Sequence, residues 1–316
     1  MSMLTRLCLS ILVTFLSLPL SAAAAPQGWT ALLEPAQLAN ILAATPDVRI
    51  LHVTGDYDAG HIPGAISAPY AQFRGPRENP GAVSSLEILS SVVQKLGVNA
   101  DTPVVIVHAG SNAADFGAAA RTYWTLKSLG IKNLALLNGG FAGWAGANLP
   151  VSTQANMVAA SSFKPQWSDQ WRVKTQEIEA LLDQDSTRLI DARTTDFYEG
   201  LQSSSARPGT IKGAGNLSFT SLFEGSRVKP PAQISSILAA QTQQPAAVTV
   251  SFCNTGHLAA INWFVMSELQ GIPNTKLYAE SMTEWSMADR PMDNEPNRLK
   301  HYWKMTTDWV GNLLGA

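Results

Sequence analysis

The sequence predicts an α/β protein built from two tandem copies of one domain, each a mostly parallel sheet flanked by helices on both faces. Short apolar strands alternate with helical patterns along the chain, which is typical of parallel sheets covered on both faces. The chain also repeats itself, because "LALLNGGFAGW" ends at Trp144 and "TKLYAESMTEW" ends at Trp285. A length of 316 residues fits two domains of roughly 150 residues each.

Strands and helices are expected in the same order in both copies. The predicted strands are 49–53, 103–108 and 134–137 in the first copy, then 187–191, 247–252 and 275–278 in the second. The predicted helices are 84–96, 116–129, 175–183, 231–241 and 258–270. We expect a first domain at 25–150, a linker at 151–168, and a second domain at 169–316 that includes a terminal helix in its tail.

Residues 1–24 have the pattern of a secretory signal peptide. Arg6 supplies an early positive charge, an apolar run extends from Leu7 to Leu18, and small residues up to Ala24 fit an A-x-A cleavage site. The apolar run is shorter than the roughly 20 residues that span a bilayer. We expect cleavage after Ala24, a periplasmic or secreted location, and no membrane association afterwards.

Composition argues against several classes of function. An apolar content of 46% with 15% charged residues indicates a globular chain, and a net charge of −2 provides no basic surface for nucleic acid. The histidines and cysteines show no metal-ligand spacing, and no phosphate-binding glycine motif is present. We therefore expect neither a metal nor a cofactor.

Cysteine usage singles out Cys253. The other cysteine, Cys8, is lost with the signal peptide, so the mature chain cannot form an internal disulfide. In "VTVSFCNTGHLAA" the cysteine ends a β-branched run and precedes a short polar turn and a helical pattern. Ligands bind beyond the carboxyl ends of parallel strands, and the N–H groups of such a turn attract an anion. A thiol there loses its proton more readily, which favours a reactive nucleophile over an inert buried cysteine.

These motifs, in their order, resemble the tandem-domain rhodanese sulfurtransferases. The resemblance covers residues 30–294 and rests on "GHIPGA" (60–65), "DAR" (191–193), the strand–cysteine–helix unit (248–270), the two tryptophan motifs and "PMDN" (291–294). It implies that the Cys253 thiolate takes a sulfane sulfur from thiosulfate, mercaptopyruvate or polysulfide and passes it, as a persulfide, to a thiol or cyanide. A protein acceptor also fits this chemistry.

The first copy has no cysteine at the corresponding place. It reads "HAGSNAADFGA" where the second copy reads "SFCNTGHLA". The resemblance therefore implies an inactive first domain that serves docking and stability.

The candidate substrate contacts are the loop residues that follow the cysteine, namely Asn254, Thr255, Gly256, His257 and Leu258. This loop holds no lysine or arginine, and Phe197 lies near a register where several rhodaneses carry an arginine. Weak use of thiosulfate is therefore expected.

Three residues are candidates for the positive charge that binds an anionic donor: Arg193, Arg207 and His257. Arg193 either binds the donor or is structural, paired with Asp191. Arg207 either swings over the pocket from an inserted loop or is a solvated surface arginine. His257 either stabilises the thiolate, donates to the leaving group, or faces water from the start of the helix. A protonated His257 would raise thiosulfate activity as the pH falls toward about 6.

Three other functions fit parts of the same sequence pattern. A cysteine phosphatase requires an arginine six residues after the cysteine, where this chain has Ala259. A thiol redox protein requires a resolving cysteine, which the mature chain lacks. A non-catalytic or weakly catalytic sulfur carrier that binds a partner protein remains open, because fold alone does not decide function.

Overall fold

The computed structural model describes residues 25–182, 184, 186–241 and 245–296. The predicted signal peptide (1–24) and most of the tail with its predicted terminal helix (297–316) lie outside the described residues. Within the described part of the chain, no helix combines the length and the apolar character needed to cross a bilayer.

Each copy contains a parallel sheet, which confirms the predicted fold class. The strands of the first copy are β1 (Leu32–Leu33), β2 (Arg49–His52), β3 (Ile66–Ser67), β4 (Val104–Val107) and β5 (Leu134–Leu137). Those of the second copy are β6 (Thr187–Asp191), β7 (Thr210–Ile211), β8 (Gly215–Asn216), β9 (Phe223–Glu224), β10 (Arg227–Val228), β11 (Val248–Phe252), β12 (Thr275–Leu277) and β13 (Met292–Asp293).

The two parallel sheets share one strand order. The first sheet runs β1-β5-β4-β2-β3 and the second runs β12-β11-β6-β8, with β9/β10 and β7/β13 as separate antiparallel pairs. The six predicted strands match β2, β4, β5, β6, β11 and β12 to within one residue at either end. The prediction missed the two-residue strands, because so short a segment shows no periodicity.

The helices of the first copy are α1 (Pro35–Ala44), α2 (Leu86–Lys95), α3 (Ala113–Ser128) and α4 (Gly140–Gly146). Those of the second copy are α5 (Thr175–Leu181), α6 (Thr195–Tyr198), α7 (Pro231–Gln241), α8 (Leu258–Phe264) and α9 (Ser281–Trp285). A π-helical segment, Val265–Leu269, continues α8 without a break.

Strand β4 shows why the sheets appear in the sequence as unbroken apolar runs. All four of its residues are buried. Val104 and Ile106 face a core shared by both copies, whereas Val105 and Val107 face an outer core of the first copy. Because helices cover both faces of the sheet, both sets of alternating side chains must be apolar.

One apolar core extends across the boundary between the copies. Helix α3 packs against α8 there, and aromatic rings meet edge to face. Ring centroids lie 5.8 Å apart for Phe116 and Phe264, 5.3 Å for Phe116 and Phe223, and 5.1 Å for Tyr123 and Phe264. The Tyr123 hydroxyl donates to Glu268 at 2.8 Å at the rim of this contact. Because they share this core, the two copies should unfold together.

We predict that Phe264→Ala lowers the free energy of unfolding by about 3–5 kcal/mol, since it removes a fully buried ring at the centre of the shared core. Guanidinium denaturation, followed by both circular dichroism and tryptophan fluorescence, measures the loss and should still show one transition. Met157→Ala is the control, because Met157 is 92% exposed. Two separate transitions, one for each copy, would contradict a shared core.

Candidate active site

Cys253 lies directly after β11, at the carboxyl end of the second sheet, as the sequence predicts. Its side chain is a free thiol and the residue is 1% exposed, packed within the core shared by the copies. Burial is common for free cysteines and does not by itself separate a nucleophile from an inert residue. The role of Cys253 therefore depends on the loop that follows it.

Ser281 fastens this loop to the second copy. Its Oγ accepts hydrogen bonds from the N–H groups of Cys253 and Gly256, both at 3.1 Å, and donates to the Tyr278 carbonyl at 2.7 Å. The N–H of Met282 donates to the Cys253 carbonyl at 3.0 Å. Ser281 adopts a φ of 54°, a conformation that costs free energy outside glycine and so requires this network to hold it.

Gly256 has the positive φ that the sequence indicates, at 67°. A Cβ at this position would overlap the Ala279 carbonyl oxygen and Nη1 of Arg121. Arg121 belongs to helix α3 of the first copy. The loop after the cysteine is therefore closed on one side by the first copy.

The loop keeps several N–H groups open. Within the described part of the chain, the N–H groups of Asn254, Thr255 and His257 have no hydrogen-bond acceptor. Such unpaired amides present partial positive charge to an anion. Thr255 is partly exposed, and Leu258 starts α8 and packs against the shared core. The loop can thus stabilise an anionic sulfur without a basic side chain of its own.

His257 is held by the first copy instead of facing water or the donor. Its Nε2–H donates to the Ala114 carbonyl at 2.8 Å, and its Nδ1 accepts from the Tyr70 hydroxyl at 2.9 Å. Arg74 in turn donates to that hydroxyl at 2.7 Å. Burial, with the Arg74 charge adding to it, lowers the pKa of His257 to about 4. A neutral His257 near pH 6 does not fit the protonated side chain on which the expected rise of activity toward acid pH depends.

Arg193 is structural, as the sequence favours. Its Nε donates to Asp191 Oδ1 at 2.9 Å and its Nη2 to Asp191 Oδ2 at 2.5 Å, while Nη2 also donates to the Gly209 carbonyl at 2.7 Å. Its Nη1 donates to Asn254 Oδ1 at 3.2 Å. Arg193 therefore supports the loop through Asn254, with its charge already paired.

Arg207 does not lie over the pocket, and it is partly solvated, with 27% of its side chain exposed. Its Nη2 donates to the carbonyls of Ala288 at 2.9 Å and Arg290 at 2.7 Å, and its Nη1 pairs with Glu295 at 3.4 Å. These partners lie on the segment that follows α9. Arg207 ties down that segment and leaves the cysteine loop to other groups.

The model of the rhodanese-like domain matches residues 34–147 and 174–288 of this chain. The chain belongs to the rhodanese-like family. The 3-mercaptopyruvate sulfurtransferase of Escherichia coli is 25% identical over 263 residues, covering 81% of this chain and 92% of that protein. The sulfur carrier protein TtuD of Thermus thermophilus is 28% identical over 261 residues, which covers 76% of this chain and 88% of that protein.

The crystal structure of SseA from Escherichia coli, a rhodanese fold in its published description, aligns with a TM-score of 0.70 at 22% identity. The match covers 80% of this chain and 98% of that one. This likeness shows the two-domain rhodanese fold.

In the first rhodanese domain His108 takes the place of Cys253. The N–H of Phe141 donates to the His108 carbonyl at 2.7 Å, just as that of Met282 donates to the Cys253 carbonyl. Val107 and Phe252 occupy matching positions in the two sheets. His108 follows Val107 directly, and Cys253 follows Phe252. The first domain therefore has an imidazole where the second has its thiol.

In the first rhodanese domain, the backbone N–H groups of the loop after β4 already donate to a carboxylate of the same domain. Asp115 Oδ2 accepts from the N–H groups of Gly110 at 2.8 Å and Ser111 at 3.3 Å. Burial raises the pKa of Asp115, but hydrogen bonds from His108 and Thr54 outweigh it and bring the pKa well below its usual range. Helix α8 has no acidic residue in its first turn, so the second loop stays open to an external anion.

Sequence reasoning missed three residues of this rhodanese site: Ser281, Tyr70 and Arg121. The repeat contains a signal for Ser281, because it aligns with Gly140, which also has a positive φ. A serine at a position that favours glycine indicates a side chain with a specific task. Tyr70 and Arg121 reach the loop from the other domain, and no local pattern reveals that contact.

We predict that Ser281→Ala destabilises the protein by about 1–3 kcal/mol, because it leaves two buried N–H groups without their acceptor and, unlike glycine, does not relieve the positive φ. Chemical denaturation measures this change. Ser128→Ala is the matched control, since Ser128 is also fully buried but its Oγ has no partner in the described part of the chain. Equal stability of Ser281→Ala and the wild type would show that the loop does not depend on the Ser281 hydroxyl.

We predict that His257 makes the native state less stable in acid. Its pKa is lowered to about 4 in the folded protein and is about 6.5 when unfolded, so between these values the unfolded chain binds an extra proton. The free energy of unfolding should therefore fall as the pH drops from about 7 toward 4, and His257→Gln should flatten this slope. Urea denaturation across that range measures both, and parallel slopes would refute the assignment.

Proposed function

We propose that this chain, a rhodanese-class sulfurtransferase, moves a sulfane sulfur from thiosulfate, mercaptopyruvate or polysulfide through a persulfide on Cys253 to a thiol or cyanide. The observation that supports this proposal most directly is that the Cys253 thiol lies at a strand end beside unpaired N–H groups of its own loop. In the first domain the equivalent amides are filled by Asp115. Only the second domain thus offers both a nucleophile and an open anion site.

The proposed sulfur transfer consists of two nucleophilic displacement steps. The Cys253 thiolate attacks the outer sulfur of the donor, and the donor's bond to that sulfur breaks. The leaving group takes the electron pair, as sulfite from thiosulfate or as the enolate of pyruvate from mercaptopyruvate. An acceptor thiolate or cyanide then attacks the outer persulfide sulfur, and the Cys253 thiolate is released. No external oxidant or reductant is required.

The loop composition supports the weak use of thiosulfate expected from the sequence. A doubly charged donor requires fixed cations in a desolvated pocket, since burying an unpaired charge is costly. Asn254, Thr255 and a neutral His257 supply none, and the charge of Arg193 is taken by Asp191. Donors with a single charge, or with charge kept in solvent, are therefore favoured.

A sulfur carrier that serves a protein partner is the second candidate function. Two observations favour it: the thiol is almost fully buried, and one relative bears the name of a sulfur carrier protein. In this case a protein, and not a small thiol, would accept the outer sulfur of the persulfide.

Export to the periplasm or the exterior is proposed on the signal-peptide pattern at residues 1–24. The N-terminal sequence of the protein recovered from its native cells tests this. A mature protein that starts at Ala25 supports export.

We predict that the purified protein gains one sulfur atom on Cys253 when it is incubated with its donor. Intact-mass spectrometry after separate exposure to thiosulfate, mercaptopyruvate and polysulfide identifies the donor class, and cyanide should then remove the added sulfur. Cys253→Ser should gain none, because a hydroxyl forms no persulfide. Loading without release to any small acceptor would favour the carrier function, and sulfur on the serine variant would refute the role of Cys253.

A further inference from the structure

Arg121 is a fully buried arginine without an ionic partner. It lies in the middle of α3, and its exposed fraction is 0%. Its Nη2 donates to the Gly81 carbonyl at 2.8 Å, and its guanidinium carbon lies 4.8 Å from the ring centre of Trp124. Its Nε and Nη1 have no partner within the described residues, and none of the ion pairs found there includes this side chain.

The free edge of this guanidinium faces the cysteine loop of the other domain. Nη1 lies so close to Gly256 that a Cβ at position 256 would overlap it. Gly256 is three residues after Cys253, and the N–H groups of both residues donate to Ser281 Oγ, so the guanidinium lies beside the turn that holds the thiol. Attraction to an ionised Cys253 sulfur raises the pKa of Arg121. Helix α8, the counterpart of α3 in the second copy, carries no charged residue. The cation is thus present only in the helix that faces the thiol.

A buried charge without a counter-ion is costly, so its retention needs a compensating anion. Burial lowers the pKa of Arg121 to about 10, which still leaves the side chain charged at neutral pH. The other groups that face it are Tyr70, Arg74 and Glu280. Arg74 repels it, and Glu280 also attracts it, with Oε1 paired to Arg172 and a buried Oε2 that has no hydrogen-bond partner among the described residues. Glu280 therefore relieves part of the cost, and the sulfur of Cys253, on the loop that Nη1 faces, is the second anion that can balance Arg121.

We propose that Arg121 of the first domain is the counter-charge for the anionic sulfur of Cys253, both as thiolate and as persulfide. It is a positioning residue that acts across the domain boundary, since it is fully buried beneath the loop and cannot reach an incoming donor. The inference rests on the proposed role of Cys253 as the nucleophile. It assigns the first domain an electrostatic part in the chemistry of the second.

The test is the pH profile for alkylation of Cys253, the one thiol of the mature chain, by iodoacetamide between pH 5.5 and 9.5, followed by mass spectrometry. Because iodoacetamide is neutral, its rate reports the thiolate fraction and not anion binding. Arg121→Met should move the midpoint up by about one pH unit and slow the reaction at neutral pH about tenfold, equivalent to about 1.4 kcal/mol. Arg121→Lys, which keeps the charge, should retain most of the wild-type rate.

Arg49→Met is the matched control. Arg49 is a partly buried arginine of the same domain that also donates to a backbone carbonyl, that of Gly97 at 3.4 Å. It starts β2, at the amino end of the first sheet, whereas the cysteine loop lies at the carboxyl end of the second sheet. Its loss should leave the midpoint unchanged. A folded Arg121→Met with the wild-type midpoint, or an equal shift in Arg49→Met, would overturn the proposal.

If Arg121→Met does not fold, Arg121→Gln replaces it under the same criterion, since glutamine can still donate to the Gly81 carbonyl. If neither folds, the free energies of unfolding of the wild type and Cys253→Ala are compared from pH 6 to 9. Relief of the buried charge by the thiolate predicts that the wild type gains stability over Cys253→Ala as the pH rises. Absence of that gain overturns the proposal.

These measurements need no sulfur donor, so they are independent of the proposed function. A shifted midpoint in a protein that never takes up sulfur would sink the sulfurtransferase proposal and leave the counter-charge in place. Normal sulfur loading with an unshifted midpoint would do the reverse.

Discussion

The packing of α3 against α8 is the contact on which the rest of the molecule depends. It joins two sheets whose inner faces are covered by α3 and by α8, so the apolar core is continuous through both domains. The cysteine loop begins α8, and therefore its outer wall is α3. Arg121, His257 and Tyr70 meet at this wall. A loop enclosed in this way is held rigidly, because its shape is determined by close packing on two sides.

The duplication places two chemically opposite sites in one chain. In the first domain a carboxylate, Asp115, occupies the amide groups at the strand end, and His108 takes the place of a nucleophile. In the second domain the loop N–H groups are open and the thiol is present. The buried cation that faces this loop, Arg121, comes from the first domain. On the proposed function, the second domain holds the nucleophile, and the first packs against its loop and places a buried cation beside it. Such a division of roles gives a physical reason for a first domain that has no thiol of its own.

Local pattern sufficed for the sheets and for the thiol. Strands β4 and β11 are apolar runs bounded by polar turns, and both Cys253 and Gly256 follow from the break after β11. The role of Arg193 was also within reach, since Asp191 is two residues away. Arg207 and His257 were misjudged because their partners come from distant segments, residues 286–295 and the first domain. Arg121 was missed for the same reason: its environment exists only once the two copies pack together.

The central claim is that the first domain holds the cysteine loop in its working shape. A double-mutant cycle across the boundary measures this most directly, with Tyr70→Phe, His257→Gln and their combination, and with the rate of sulfur loading onto Cys253 as the readout. The Tyr70–His257 hydrogen bond should make the two changes non-additive, with a coupling free energy of about 0.5–3 kcal/mol. Additive effects, within about 0.3–0.5 kcal/mol, would contradict the claim that the first domain acts on the loop through this contact.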